Sequence, residues 1–335
     1  MDFNSNYIRN KKRIGHIKKI VEDIINEEVI KHPYDYLFRR NGEFYPYGYH
    51  ITLDLPGTFK STESTNLFTE DGKALRQDYV ERVGPDDKYL TEDSIIGVEH
   101  LSGVLSQDKS IKLYNYKTTS TGKYNLPCIL ILVTKINYYT DELIIKFNND
   151  AFSVKVIYMS PEKIEKILNT SENKNYLIEE VSEVDFLNLV HCLVFAPDKK
   201  EKSVIKRVVN IFVSMEYINE CYHLDLHYAL KTMIKYHFKD INDQRELLTM
   251  ITQSMTDDEL DKLPTLEFRA KQIEKLEIEI SEMDSTIAEK DQALIEKDQA
   301  LIEKDQALIE KNQAIAEKDK EIKMLKEQLL SIDNK

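Results

Sequence analysis

Ser94-Ile95-Ile96-Gly97-Val98-Glu99-His100-Leu101 is the stretch on which the reading of this chain turns. It has the length and apolar content of a buried strand, and it ends by presenting a carboxylate, Glu99. Upstream, Arg76-Gln77-Asp78-Tyr79-Val80-Glu81-Arg82-Val83 reads as a second strand and carries another acid, Asp78. Downstream, residues 107–116 have the mixed polar and apolar pattern of a short helix, and an apolar strand follows over residues 126–133. Two carboxylates from neighbouring strand ends are the minimal cage for a divalent metal: hard oxygen ligands, with room left for water and a phosphate oxygen. The bland alternative is a pair of ordinary strand-end acids.

The 335 residues, 41% hydrophobic and 31% charged, provide ample chain for a sizeable core and one or two domains. No apolar run reaches membrane-spanning length, and the first residues lack the basic-then-apolar order of a secretory signal, so a cytoplasmic protein with no membrane partner is expected. Three cysteines, Cys128, Cys192 and Cys221, suit buried thiols in a reducing compartment better than a disulfide framework. A formal net charge of −13 argues against a general polyanion binder. It leaves room for local basic clusters such as Arg9, Lys11, Lys12 and Arg13, or Lys199 to Arg207.

The chain changes character near residue 265, beyond which proline and glycine disappear and Glu, Lys, Asp, Gln, Ala, Ile and Leu dominate. Residues 291–297, 298–304 and 305–311 are identical copies of DQALIEK, and a seven-residue period marks a coiled coil. The flanks have an apolar seam through Ile273, Leu276, Ile280, Met283 and Ile287, and again through Ile322, Leu325 and Leu329. In the centre the same register places Lys290, Lys297, Lys304 and Lys311 in the seam, which predicts firm flanks and a loose middle. The expected product is a rod roughly 100 Å long that associates with itself, most simply as a parallel homodimer. Before it, the pattern predicts a helix over residues 13–29 and broken short pieces over 34–57. Strands are expected over 142–147 and 152–158, then mostly helices beyond Pro161.

Asp78, the strand ending Val98-Glu99-His100-Leu101, a helix and a further strand together resemble the PD-(D/E)XK nuclease core, and more narrowly the Rpn-type recombination-promoting nucleases, or transposase-like proteins. Asp35-Tyr36-Leu37-Phe38-Arg39 is similar to the Asp-x-x-Phe-Lys-like opening helix of that group, and helical, repeat-rich tails are common in it. The resemblance implies an α/β fold: a restriction-endonuclease-like core with a mixed central sheet flanked by helices over residues 1–160, a helical extension over 161–260 and a coiled-coil tail over 265–332. It implies magnesium held by Asp78 and Glu99, with the His100 carbonyl as a further oxygen, and hydrolysis of DNA. The position two residues after the Glu, Lys or Gln in such nucleases, is Leu101 here. A replacement polar group is sought in the next helix, where Gln107, Lys109 and Lys112 are candidates; His100 should point to the opposite face. Loss of catalysis with retention of the fold would leave a DNA-binding module or protein scaffold assembled by its tail. A separate cluster, Cys221, His223 and His227, has two histidines four apart, but partly exposed helix histidines explain it better than a zinc site. Tyr114, Tyr116 and Tyr124, interleaved with Lys112, Lys117 and Lys123, could contact a nucleic-acid backbone.

Overall fold

The computed structural model describes residues 3–68, 74–86, 90–147, 150–176 and 179–263, with a few isolated positions beyond them. The heptad repeats, and with them the expected coiled coil, lie outside the described residues. Helices Phe3–Asn26 (α1), Pro33–Phe44 (α2) and Pro46–Thr52 (α3) open the chain, the last two each beginning on a proline. Proline at the first helical position has its φ pre-set and lacks only an N–H that would have no intrahelical partner. Strands follow at Thr58–Thr62 (β1), Asn66–Phe68 (β2), Ala74–Arg76 (β3), Tyr79–Gly84 (β4) and Ser94–Leu101 (β5). Helix Gln107–Tyr124 (α4) then leads to strands Cys128–Thr134 (β6), Glu142–Phe147 (β7) and Asp150–Tyr158 (β8). The second half is helical: Pro161–Asn173 (α5), Glu183–Val194 (α6), Glu201–Val213 (α7), Glu220–His237 (α8) and Ile241–Gln253 (α9).

Six strands form one mixed sheet in the order β1-β4-β5-β6-β8-β7, and β2 with β3 makes a two-stranded one. The β1–β4 and β4–β5 pairs are antiparallel, β5–β6 and β6–β8 parallel, and β7–β8 antiparallel. All eight residues of β5 are buried, because strands flank it on both edges and helices cover both faces. That is why it reads as a continuous apolar run and not as an alternating one. Ile96, Val98, Ile131 and Val133 face the large core shared with α2, α3 and α6, whereas Ile95, Leu101, Leu130 and Leu132 face a smaller core closed by Leu113 and Tyr116 of α4.

α6 is apolar on nearly every side, with Phe186, Leu187, Leu189, Val190, Cys192, Leu193 and Val194 all buried. Such a helix must be surrounded, and α2, α3, α5, α7 and α8 pack around it. Met1–Leu67 and Leu75–Leu276 accordingly form one compact unit; a second comprises Phe68–Ala74 and Glu277–Lys335. Local differences from the sequence reading have simple causes. The α4 helix runs to Tyr124 instead of stopping near 116, capped by the Ser106 side chain and ended by Asn125 in the left-handed region at φ 51°. Asp78 lies just ahead of β4 instead of within it, because Gln77 N–H bonds Thr65 outside the main sheet.

Candidate active site

Extending the antiparallel register one step beyond the last pair, Tyr79 with Val98, sets Asp78 beside Glu99. The two residues are cross-bonded. Asp78 N–H donates to Glu99 Oε1 at 3.1 Å, and His100 N–H donates to Asp78 Oδ2 at 2.8 Å. Each carboxylate thus takes up a backbone donor at the point where the strand ladder ends, where it would otherwise be orphaned.

The third member comes from α4. Ser106 Oγ accepts the Lys109 N–H, which fixes the start of the helix over the end of β5. Lys109 Nζ then lies 2.6 Å from Glu99 Oε2, and Lys112, three residues on and so on the same face, lies 3.9 Å from the same oxygen. Tyr116, one further turn along, is buried, interacts with Glu99 and donates its hydroxyl hydrogen to the Arg76 carbonyl. Leu101, where the nuclease motif has Lys or Gln, is buried in the smaller core. Of the two lysines that approach Glu99, Lys109 is the nearer.

His100 points to the other face of β5, where its Nδ1 lies 2.6 Å from Asp35 Oδ1 and its ring stacks on Phe38 at 5.3 Å. Asp35 and Phe38 are on one face of α2. The acid of the opening helix therefore reaches the same strand end from the opposite side of the sheet.

Burial above all, and then the neighbouring Asp78 charge, push Glu99 up to about 7, against the opposing pull of Lys109 and Lys112. Asp78 is raised as well, chiefly by burial, with Asp35 adding repulsion and the His100 N–H and Lys109 offsetting part of it. Burial works to lower Lys109, but the Glu99, Asp78 and Asp35 carboxylates outweigh it and hold the ammonium above its ordinary range. Asp35 is lowered: burial raises it, and the His100 hydrogen bond, with the charges of His100, Lys109 and His32, overcomes that. The arrangement is a sheltered pair of acids with a firmly protonated lysine, Lys109, on one side and Lys112 beyond it.

That donor set fits a hard cation in kind, since both carboxylates lie together and Asp78 Oδ1 accepts no hydrogen bond among the described residues. Among the described residues no group of three or more His, Cys, Asp or Glu side chains is spaced to hold a metal ion. Any cation there would rest on two side chains, with water completing its shell.

Gln77 is a participant that the sequence reading passed over. It is fully buried, neither amide atom has a hydrogen-bond partner among the described residues, and its amide lies across Gly97 on the Glu99 face of β5. Its signal was position alone, next to Asp78. The other clusters resolve into structural roles. His223 and His227 are both buried, contrary to the expected partial exposure, because α8 is packed between α6, α7 and α9. His223 pairs with Glu259 at 2.8 Å, and burial pushes His227 down to about 3. Arg13 is tied to Asp257 and the Met255 carbonyl, and Arg207 grips Glu165, Asn169 and Glu172. Tyr114 and Tyr124 bond Asp150 and the Ser64 carbonyl. Among the described residues no helix is long and apolar enough to cross a membrane.

No protein-family model, curated protein or solved structure matches the chain.

Proposed function

We propose that this chain is a divergent metal-dependent DNA endonuclease of the Rpn-type, PD-(D/E)XK kind, working through Asp78, Glu99 and Lys109. The observation that supports the reading is convergence: an acid ahead of β4, an acid on β5 and a lysine from α4 meet at one strand end, with Lys109 Nζ 2.6 Å from Glu99 Oε2. A lysine reaching in from the helix supplies the positive group that the strand position, Leu101, lacks.

Asp78 and Glu99 would hold magnesium, which when bound supplies Lewis acidity at a phosphodiester. The chain's own groups do the rest. Lys109 fixes the orientation of the Glu99 carboxylate, and because it keeps its proton it acts as a hydrogen-bond donor and charge stabiliser, not as a base. Lys112, more exposed, adds positive potential on the approach of a phosphate. Self-association through the repeat tail would bring two such sites to one duplex.

Magnesium-dependent nicking of supercoiled plasmid tests this. Asp78→Ala and Glu99→Ala are expected to abolish it, and Lys109→Met to slow it by about 10²-fold or more, the usual scale for one electrostatic donor. Equal cleavage by all four proteins would overturn the proposal.

The same ion pair favours one other reading. Lys109 already gives Glu99 a neutralising partner, so the cluster can serve as a metal-free lock in a non-catalytic DNA-binding or scaffold module assembled by its tail. Plasmid left intact by a protein that still binds DNA or a protein partner would favour that reading.

A further inference from the structure

On the far side of β5 from Glu99 is a cavity of about 230 Å³ at the N-terminus of α2, its wall including Lys31, His32, Asp35, His100, Lys135 and Tyr236. It is smaller than the roughly 300–1,000 Å³ of pockets that engulf whole organic ligands, which suits one small charged group. Three independent features set its chemistry. Two lysines, Lys31 and Lys135, line it. The His32 side chain makes no capping bond and Pro33 has no N–H, so the Tyr34 and Asp35 N–H groups open the helix without a side-chain acceptor. The His100 side chain is only 2% exposed, its Nδ1 is held by Asp35, and among the described residues its Nε2 makes no hydrogen bond.

Three acids act on this region: Asp35, part of the wall, pairs with His100; Asp198 pairs with Lys135 at 2.5 Å; and Glu201 acts on Tyr34 and His237. Asp198 is 80% exposed, so water resolvates it readily if Lys135 turns to a ligand. Lys135 also lies 5.8 Å from the centre of the Tyr34 ring, and Tyr34 meets Tyr236 edge-on. These rings form a wall against which a sugar or base can lie.

We propose that this cavity is a phosphate subsite, holding a phosphate of the same nucleic-acid strand whose neighbouring phosphodiester is presented to Asp78 and Glu99. His100 joins the two places: its backbone N–H bonds Asp78 while its ring lines the cavity. The strand-level role rests on the nuclease reading; the phosphate chemistry does not.

The test uses the full-length protein in a chelator, so that nothing is cut. Inorganic phosphate is titrated by calorimetry, and short labelled single strands carrying a 5′-phosphate or a 5′-hydroxyl by fluorescence anisotropy. Lys135→Ala is expected to weaken phosphate and strand binding about tenfold and to reduce the salt slope by about one. His32→Ala, at an exposed position, should weaken both in the same direction, and Lys18→Ala on the exposed side of α1 should leave both unchanged. A loss confined to the 5′-phosphorylated strand identifies a terminal phosphate, and an equal loss for both strands an internal one. Lys135-dependent phosphate binding with no strand binding keeps the subsite and removes its nucleic-acid role. Absent phosphate binding, or binding indifferent to Lys135 and His32, overturns the subsite even if the protein cleaves plasmid.

Discussion

At Asp78 and Glu99 two like charges share a buried strand end, and Lys109 alone among the near cations approaches within hydrogen-bond distance. Protonation relieves such a pair. Because the folded state holds the Glu99 proton up to about 7, against an ordinary value of 4.5, this site binds more protons folded than unfolded between those limits. Its contribution to stability therefore falls as pH rises from 4.5 through 7 and is lowest above that. Asp78→Asn keeps an oxygen for the His100 N–H and removes the repulsion. We expect it to stabilise the fold by about 1–2 kcal/mol at pH 8 and by much less at pH 5. Lys109→Met should do the reverse, destabilising by about 2 kcal/mol at pH 8. Urea unfolding at the two pH values checks both signs. The same proton competes with a cation, so magnesium affinity should climb about tenfold per pH unit below 7 and level off above it. Magnesium titrations at three pH values measure this, and a flat profile would place the cation elsewhere.

At the scale of elements, β5 and β6 were legible because a strand buried on both faces leaves an unbroken apolar run. Glu99 within β5, and Asp78 one residue ahead of β4, were named with them. β1 was not: four of its five residues are exposed and the other half-buried, so an edge strand there has no apolar pattern to betray it. Lys109 could be named from sequence only beside Gln107 and Lys112, because the choice depends on how α4 docks across β5. The link between Asp35 and His100 spans 65 positions and depends on α2 packing against the opposite face of the sheet, which no local pattern records. Gly97 is the one glycine here whose lack of a side chain opens space beside the acid pair. A Cβ there would lie 2.4 Å from the buried Gln77 amide. Gly97→Ala is therefore expected to destabilise by about 1–3 kcal/mol, with the amide driven towards Asp78. Denaturant unfolding measures the loss, and a change below about 0.5 kcal/mol, the range of inert surface substitutions, would show that Gln77 moves freely.

At the scale of the whole molecule, distant parts of the chain are joined: α1 packs on α9, and both belong with the sheet to the unit that ends at Leu276. A chain ended at residue 276 is thus expected to keep the melting transition of the full chain and, on the proposed pairing of the repeat tail, to be monomeric where the full chain is not. Circular dichroism melts and sedimentation velocity of the two proteins separate these properties; a large drop in melting temperature would show that the tail holds the fold. The cross-bonded acids have a further consequence when the chain is viewed as a lineage. Asn at 78 and Gln at 99 would accept the same two backbone hydrogens without mutual repulsion, and a single base change converts an Asp codon to an Asn codon. The amide at 78 would leave the fold its hydrogen bond, whereas an amide at 99 would forfeit the Lys109 ion pair. Among related sequences, position 78 is therefore the one whose identity separates a chain kept for its fold from one kept for negative charge at this strand end.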